Sequence, residues 1–226
     1  MKFLITNDDG FDAPGIAALV QILECHGDVL VVAPDRCHSG CGHQVTTTRP
    51  LHCEHVTGNQ YRIDGTPADC VRVALRHICP DIDYVVAGIN DGGNLGIDTF
   101  MSGTVAAVRE AVFWQKPGLA ISQYRTAAGI DWQRTAAKAD MAIRYCLERT
   151  LDRHAFWNIN LPADETIRGS LQTIECELDR NPLPTDFESQ DGKLVYRGRY
   201  HDRIKDPASD VDVCFSGDIA VSMIRV

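Results

Sequence analysis

Residues Met1 to Gly10 (MKFLITNDDG) run an apolar segment straight into two adjacent carboxylates and a glycine. Phe3, Leu4 and Ile5 are consecutive apolar residues with polar breaks only at the ends. That is the pattern of a strand buried on both faces, as in a parallel sheet. Successive strand residues point to opposite faces, so Asp8 and Asp9 can share a partner only if the chain has already left the strand. Gly10 permits that turn. Two like charges held this close repel unless a cation or a shared proton relieves them. The economical reading is a divalent metal at the carboxyl end of the first strand, with a polar turn or a helix cap as the plain alternative. Asp12 is the better candidate for a cap, because Pro14 suits the first helical turn and Ile16, Leu19, Val20 and Leu23 follow at helical spacing.

Outward from this segment, strands and helices alternate to about residue 160, the signature of an α/β fold. It predicts a Rossmann-like, mostly parallel sheet with helices on both faces. A helix over about 14–25 leads to a second strand, Asp28 to Ala33. Thr46 to Val56 and Tyr61 to Asp64 read as a hairpin or edge strands turning at Thr57-Gly58-Asn59. The next helix starts clearly: Thr66 caps, Pro67 takes the first helical position and Asp69 closes a capping box. Asp83 to Ile89 (DYVVAGI) is a central strand. A helix follows over 103–115, then a strand at Gly118 to Ser122, a helix over 131–151 and a strand at Phe156 to Leu161. Beyond Pro162 helical periodicity disappears, and short strands are expected near 171–178, 193–200 and 218–225. The expected division is therefore a metal- and phosphate-binding part, 1–162, and a β-rich extension, 163–226, that completes the fold and serves oligomerisation.

The 226 residues are enough for a sizeable core. No apolar run approaches the roughly 20 residues of a membrane span, and no basic segment leads into an apolar stretch with a cleavage site. The expected address is cytoplasmic, with no membrane partner. A net charge of −9 argues against duplex nucleic acid, whose binding depends on phosphate neutralisation. It leaves room for a small phosphorylated ligand. Nine cysteines without a CxxC pair read as reduced thiols. Cys37 and Cys41, with His38 and His43, match no usual zinc spacing.

In open parallel sheets, ligands bind beyond the carboxyl ends of the strands. Three strands deliver polar loops to that edge: Asn7-Asp8-Asp9, the Ala33–Gly40 segment carrying Ser39, and Gly88–Gly96 carrying Asn90 and Asn94. Oxygen donors without His or Cys suit a hard cation such as magnesium or manganese. A site with few protein ligands keeps positions open for water and a phosphate oxygen, as metal-assisted phosphoryl hydrolysis requires. Met101-Ser102-Gly103-Thr104 opens a helix and offers hydroxyls and free backbone N–H groups to an anion. A plain N-cap is the simpler role for the same residues.

With these segments in view the chain closely resembles the SurE family of stationary-phase survival proteins, which act as 5′/3′-nucleotidases. The resemblance rests on TNDDGFDAPGI (6–16), VVAPDRCHSG (31–40), GTPADCV (65–71), AGINDGGNLGID (87–98) and SGTVAAVREA (102–111). Asn158-Ile159-Asn160-Leu161-Pro162 extends it. It implies that Asp8, Asp9, Ser39 and Asn90 are metal ligands for one Mg2+ or Mn2+ per subunit. It also implies that Asn94, Ser102, Gly103 and Thr104 surround the substrate phosphate. Implied further are a homodimer or homotetramer built through swapped carboxyl-terminal segments, hydrolysis of nucleoside monophosphates and, in some members, release of phosphate from polyphosphate. Met101 departs from the family pattern, which usually has an aromatic residue there.

On this reading the chain is a divalent-metal-dependent phosphomonoesterase for nucleoside 5′- or 3′-monophosphates, with Asp8, Asp9 and Asn94 as catalytic residues. The general base stays open, since ligation lowers the basicity of Asp8 and Asp9. A nucleotide-binding module without turnover and an enzyme for another phosphomonoester are the rival readings.

Overall fold

The computed structural model describes residues 1–226. In chain order its regular elements are β1 (Lys2–Thr6), α1 (Pro14–Leu23), β2 (Asp28–Pro34), β3 (Cys53–Thr57), β4 (Gln60–Ile63) and α2 (Pro67–Val73). They continue with β5 (Tyr84–Asp91), α3 (Gly103–Phe113), β6 (Gly118–Gln123), α4 (Trp132–Leu147), β7 (Ala155–Leu161) and β8 (Thr173–Glu175). The last are β9 (Phe187–Gln190), β10 (Lys193–Tyr196), α5 (Asp210–Phe215) and β11 (Ile219–Arg225).

Nine strands form one sheet in the order β3-β4-β2-β1-β5-β6-β7-β11-β8. Pairing from β4 through β7 is parallel, while β3 and β11 run antiparallel to their neighbours β4 and β7. The chain leaves β1 toward β2 on one side and returns to β5 on the other. The order therefore reverses between β1 and β5, where loops diverge and leave a crevice at the carboxyl ends.

The apolar run of β1 is completely buried because both faces are covered. Phe3 and Ile5 point to the side of α1 and α4, with Leu19, Leu23, Ala139 and Ile143. Leu4 points to the side of α2 and α3, with Val71, Ala74, Val105 and Val108. Each such large side chain contributes about 1.5–3 kcal/mol by leaving water, so the sheet is a rigid platform for the loops at its edge.

Local chemistry sets the helix starts. Thr66 Oγ accepts the Asp69 N–H at 3.2 Å and Asp69 Oδ2 accepts the Thr66 N–H at 3.0 Å, the reciprocal capping box expected from the sequence. Asp12 does not cap α1. The N-cap is Ala13, with no side-chain bond, and Asp12 instead accepts from Arg62 at 3.1 Å. Pro14 holds the first helical position, where its ring-fixed φ suits the helix start.

After Pro162 the chain is not uniformly strand-like. α5 is capped by Ser209, whose Oγ accepts the Asp212 N–H. β11 enters the main sheet beside β7, with Val221 facing Ile159 and Met223 facing Trp157 in register. The β9–β10 hairpin stands apart as a two-stranded sheet.

Candidate active site

The site is built at the carboxyl ends of β1 and β5. Asn7 is fully buried and braces the turn after β1: its Nδ2 donates to the Gly10 carbonyl at 2.8 Å and its Oδ1 accepts the Gly10 N–H at 3.3 Å. Gly10 sits at φ +105°, a conformation that side chains rarely adopt. The turn lets Asp8 and Asp9 diverge. Asp8 is buried among α3 and the 35–42 loop, whereas Asp9 reaches β5 and accepts the Asp91 N–H at 3.0 Å.

Three further contacts fix Asp8. The Thr104 hydroxyl donates to its Oδ1. The His38 N–H donates to its carbonyl at 2.7 Å, drawing the Ser39 loop over the β1 end. Gly103 leaves room for the carboxylate, because a Cβ there would lie 2.8 Å from Asp8 Cβ and 2.9 Å from Cys41 Sγ. Thr104 is thus fully buried with its hydroxyl turned to Asp8. Ser102 is the N-cap of α3, its Oγ accepting the Val105 N–H at 3.1 Å.

A cleft of about 240 Å³ opens on Asp8, Ser39, Asn90, Asn94, Asp98 and Ser102. Asp9 lies on its flank, in an adjoining cleft with Asp91 and Arg36. Pairing between β5 and β6 slips between Ala87 and Asn90, and such a bulge re-aims the residues that follow. Asn90 then turns its Nδ2 to the Gly92 carbonyl at 2.8 Å, which leaves its Oδ1 to act as a donor atom for a cation. The Ser39 hydroxyl is exposed and 3.0 Å from Cys37 Sγ.

Burial pushes the Asp8 carboxyl above its ordinary range, against the bond from Thr104. Burial likewise raises Asp9, to about 6, opposed by the Asp91 N–H and reinforced by the charges of Asp8 and Asp91. Arg125, whose charge opposes the Asp9 shift, is itself paired with Asp91 at 3.1 Å. Two desolvated carboxylates without a dedicated counter-charge fit a bound cation. No group of three or more His, Cys, Asp or Glu side chains is placed to hold a metal ion by itself, so a cation here would complete its shell with the neutral oxygens of Ser39 and Asn90. Such an all-oxygen set suits Mg2+ or Mn2+.

Asn94 is held from beneath by strand side chains. Asn160 Oδ1 accepts the Asn94 N–H at 2.8 Å, and Asn158 and Asn160 both donate to its carbonyl. Ser122 Oγ accepts from Asn94 Nδ2 at 2.7 Å. These three supports were not picked out as site residues from the sequence. The available signal was the pair of amides at alternate positions in the otherwise apolar β7 (AFWNINL), which must find partners once buried.

The carboxyl-terminal segment also reaches the site. Asp98 Oδ2 accepts from Tyr200 Oη at 2.5 Å and from the fully buried Arg203 at 2.9 Å. His43 turns away from the cleft, pairing with Glu110 at 2.9 Å and stacking on Phe113.

A family model described as "Survival protein SurE" matches residues 3–179. A Synechocystis protein is 45% identical over 227 residues and is covered, like this chain, over 100% of its length. The 5′-nucleotidase SurE of Geobacter sulfurreducens is 42% identical over 224 residues, 88% of this chain and 85% of that protein. The crystal structure of the SurE protein from Aquifex aeolicus matches with a TM-score of 0.85 at 31% identity, covering 100% of this chain and 93% of that one.

Proposed function

This chain belongs to the SurE family, and from that premise we propose that it is a phosphoric monoester hydrolase that cleaves nucleoside 5′- and 3′-monophosphates with a divalent cation. The observation that carries this reading is that Asp8, Ser39, Asn90, Asn94 and Ser102 line one crevice at the sheet's switch point, with Asp9 on its flank in the adjoining cleft. The 5′-nucleotidase SurE of Geobacter sulfurreducens, alike over most of both chains, supports it.

Asp8, Asp9, Ser39 and Asn90 would hold one Mg2+ or Mn2+. When bound, that cation polarises the phosphoryl oxygen and acidifies the attacking water. The chain's own residues do the rest. Asn94, fixed through Asn158, Asn160 and Ser122, offers its carboxamide to a phosphate oxygen. The Ser102 hydroxyl, whose oxygen already accepts the Val105 N–H, has its proton left to donate to the same group. Thr104 and Gly103 act on the carboxylate side, orienting Asp8 and giving it space. Donors placed where charge develops, with no reorganisation needed, are the strongest contribution such a site makes. Phosphate release from short polyphosphate fits the same cleft, since none of these groups reads a base.

Residues 1–162 supply the metal- and phosphate-binding groups in this reading, and 163–226 complete the sheet, brace Asp98 and serve assembly. The β9–β10 hairpin leaves Phe187, Leu194 and Tyr196 between 51% and 72% exposed, which supports a homodimer or homotetramer. No helix is long and apolar enough to cross a membrane.

The test is phosphate release from AMP with Mn2+ and after EDTA treatment. We expect activity with the cation, its loss with EDTA, and a fall of orders of magnitude in both Asp9→Ala and Asn90→Ala. Activity untouched by EDTA and by both substitutions would overturn the reading.

A further inference from the structure

The Gly92–Gly93 turn separates the phosphate cleft from a second one, of about 360 Å³, walled by Tyr124, Arg125, Tyr200 and His201. We propose that this second cleft seats the nucleobase of the substrate. The inference rests on the phosphomonoesterase reading above and adds to it the residues that distinguish a nucleotide from a simpler phosphate ester.

Four observations converge. First, the two clefts share Gly92 and Gly93, so one ligand can span them over a turn that carries no side chains of its own. Second, the volume falls in the range of small-molecule seats, roughly 300–1,000 Å³. Third, the wall combines planar rings with a guanidinium, the surfaces on which bases stack irrespective of sequence. Fourth, the wall is fixed. The Tyr124 hydroxyl and His201 Nδ1 are hydrogen-bonded, which sets the imidazole and leaves Nε2 for a base edge. Tyr124 also stacks on Phe215 at 4.6 Å between ring centroids.

The segment that brings Tyr200 and His201 here lies more than 100 residues after the phosphate loop. Arg203 fastens it, bonding to Asp98 Oδ2 and to the Leu95 carbonyl. Asp98 itself faces the phosphate cleft. A side chain of the phosphate cleft thus anchors the wall of the base seat, so the two halves of a nucleotide would meet groups held in fixed register.

His201 is the residue to change, because it is exposed and its removal leaves the Arg203–Asp98 anchor intact. The experiment compares wild type with His201→Ala on two substrates, AMP and glycerol 2-phosphate, and measures adenosine binding by calorimetry. Stacking and edge contacts to one base predict a KM for AMP that rises about tenfold more than the KM for glycerol 2-phosphate. Adenosine, which lacks the phosphate, should bind wild type and lose affinity by a similar factor in the variant. Equal changes in both KM values, or adenosine affinity untouched by the substitution, overturn the base seat while leaving the phosphatase intact. A wild type that binds adenosine at this cleft yet releases no phosphate from any nucleoside monophosphate overturns the catalytic reading instead.

Discussion

Asn160 grips the backbone of Asn94 from both sides, its Oδ1 accepting the Asn94 N–H at 2.8 Å and its Nδ2 donating to the Asn94 carbonyl at 3.0 Å. A β7 side chain therefore does for the loop carrying Asn94 what a neighbouring strand would do. Asn160→Ala leaves the Asn94 N–H buried without a partner, while Asn158 still serves the carbonyl. Leaving one buried donor unsatisfied costs about 1–3 kcal/mol. The expected result is that loss in urea denaturation together with a drop in kcat, since Asn94 no longer meets the phosphate in a fixed position.

Thr104→Val tests whether Asp8 is oriented through α3. The substitution keeps the buried shape and removes the hydroxyl that donates to Asp8 Oδ1. Groups that orient a metal ligand typically contribute 10–100-fold in affinity or activity. A loss of about that size in Mn2+ affinity is expected, with Thr104→Ser restoring most of it. Were Thr104 a phosphate contact alone, Mn2+ affinity in the absence of substrate would not change.

Asp9→Asn probes the opposition between folding and function. The Asp9 carboxyl is raised by burial and by the adjacent charges of Asp8 and Asp91, so the cation-free protein carries an electrostatic penalty there. An amide keeps an oxygen for the Asp91 N–H and removes the charge. In EDTA we expect Tm to rise by about 2–4 °C, the effect of roughly 1 kcal/mol in a domain of this size, while activity disappears. A lower Tm in EDTA would mean that the carboxylate stabilises the fold by itself.

Glu110 gives a pH-dependent prediction away from the cleft. Burial raises its carboxyl, but hydrogen bonds from His43 and Trp114, with the charges of His43 and Arg72, outweigh that and leave it below 4.5. A depressed carboxylate stabilises the fold above its unfolded value, and the contribution is lost as pH falls through the folded value. Glu110→Gln should therefore be less stable than wild type at pH 7, with the difference closing below pH 4.5. Urea midpoints at pH 7 and pH 3 check it. Because His43 belongs to the loop carrying Ser39, weaker Mn2+ binding should accompany the loss at pH 7.

Much of this architecture was legible because its causes are local. The buried run of β1, the capping box at Thr66 and Asp69 and the polar loops after three strands all follow from neighbouring residues. The family resemblance then singled out Ser39, Asn90 and Asn94. What escaped depends on contacts across the fold. Asp12 has the local setting of a cap, but Arg62, 50 residues away, claims its carboxylate. Asn160 meets Asn94 across 66 residues, and Arg203 meets Asp98 across 105. The bond between Thr104 and Asp8 likewise joins residues 96 apart.

The central claim is that the β1 carboxylates hold a catalytic cation together with Asn90. Calorimetric titration of Mn2+ into EDTA-stripped protein tests it most directly, comparing wild type with Asp8→Asn, Asp9→Asn and Asn90→Ala. The account predicts about one Mn2+ per chain in wild type, no measurable binding in either aspartate variant and weakened binding in Asn90→Ala, in line with the ligand chemistry of hard cations. Wild-type stoichiometry and affinity retained in both aspartate variants would contradict it.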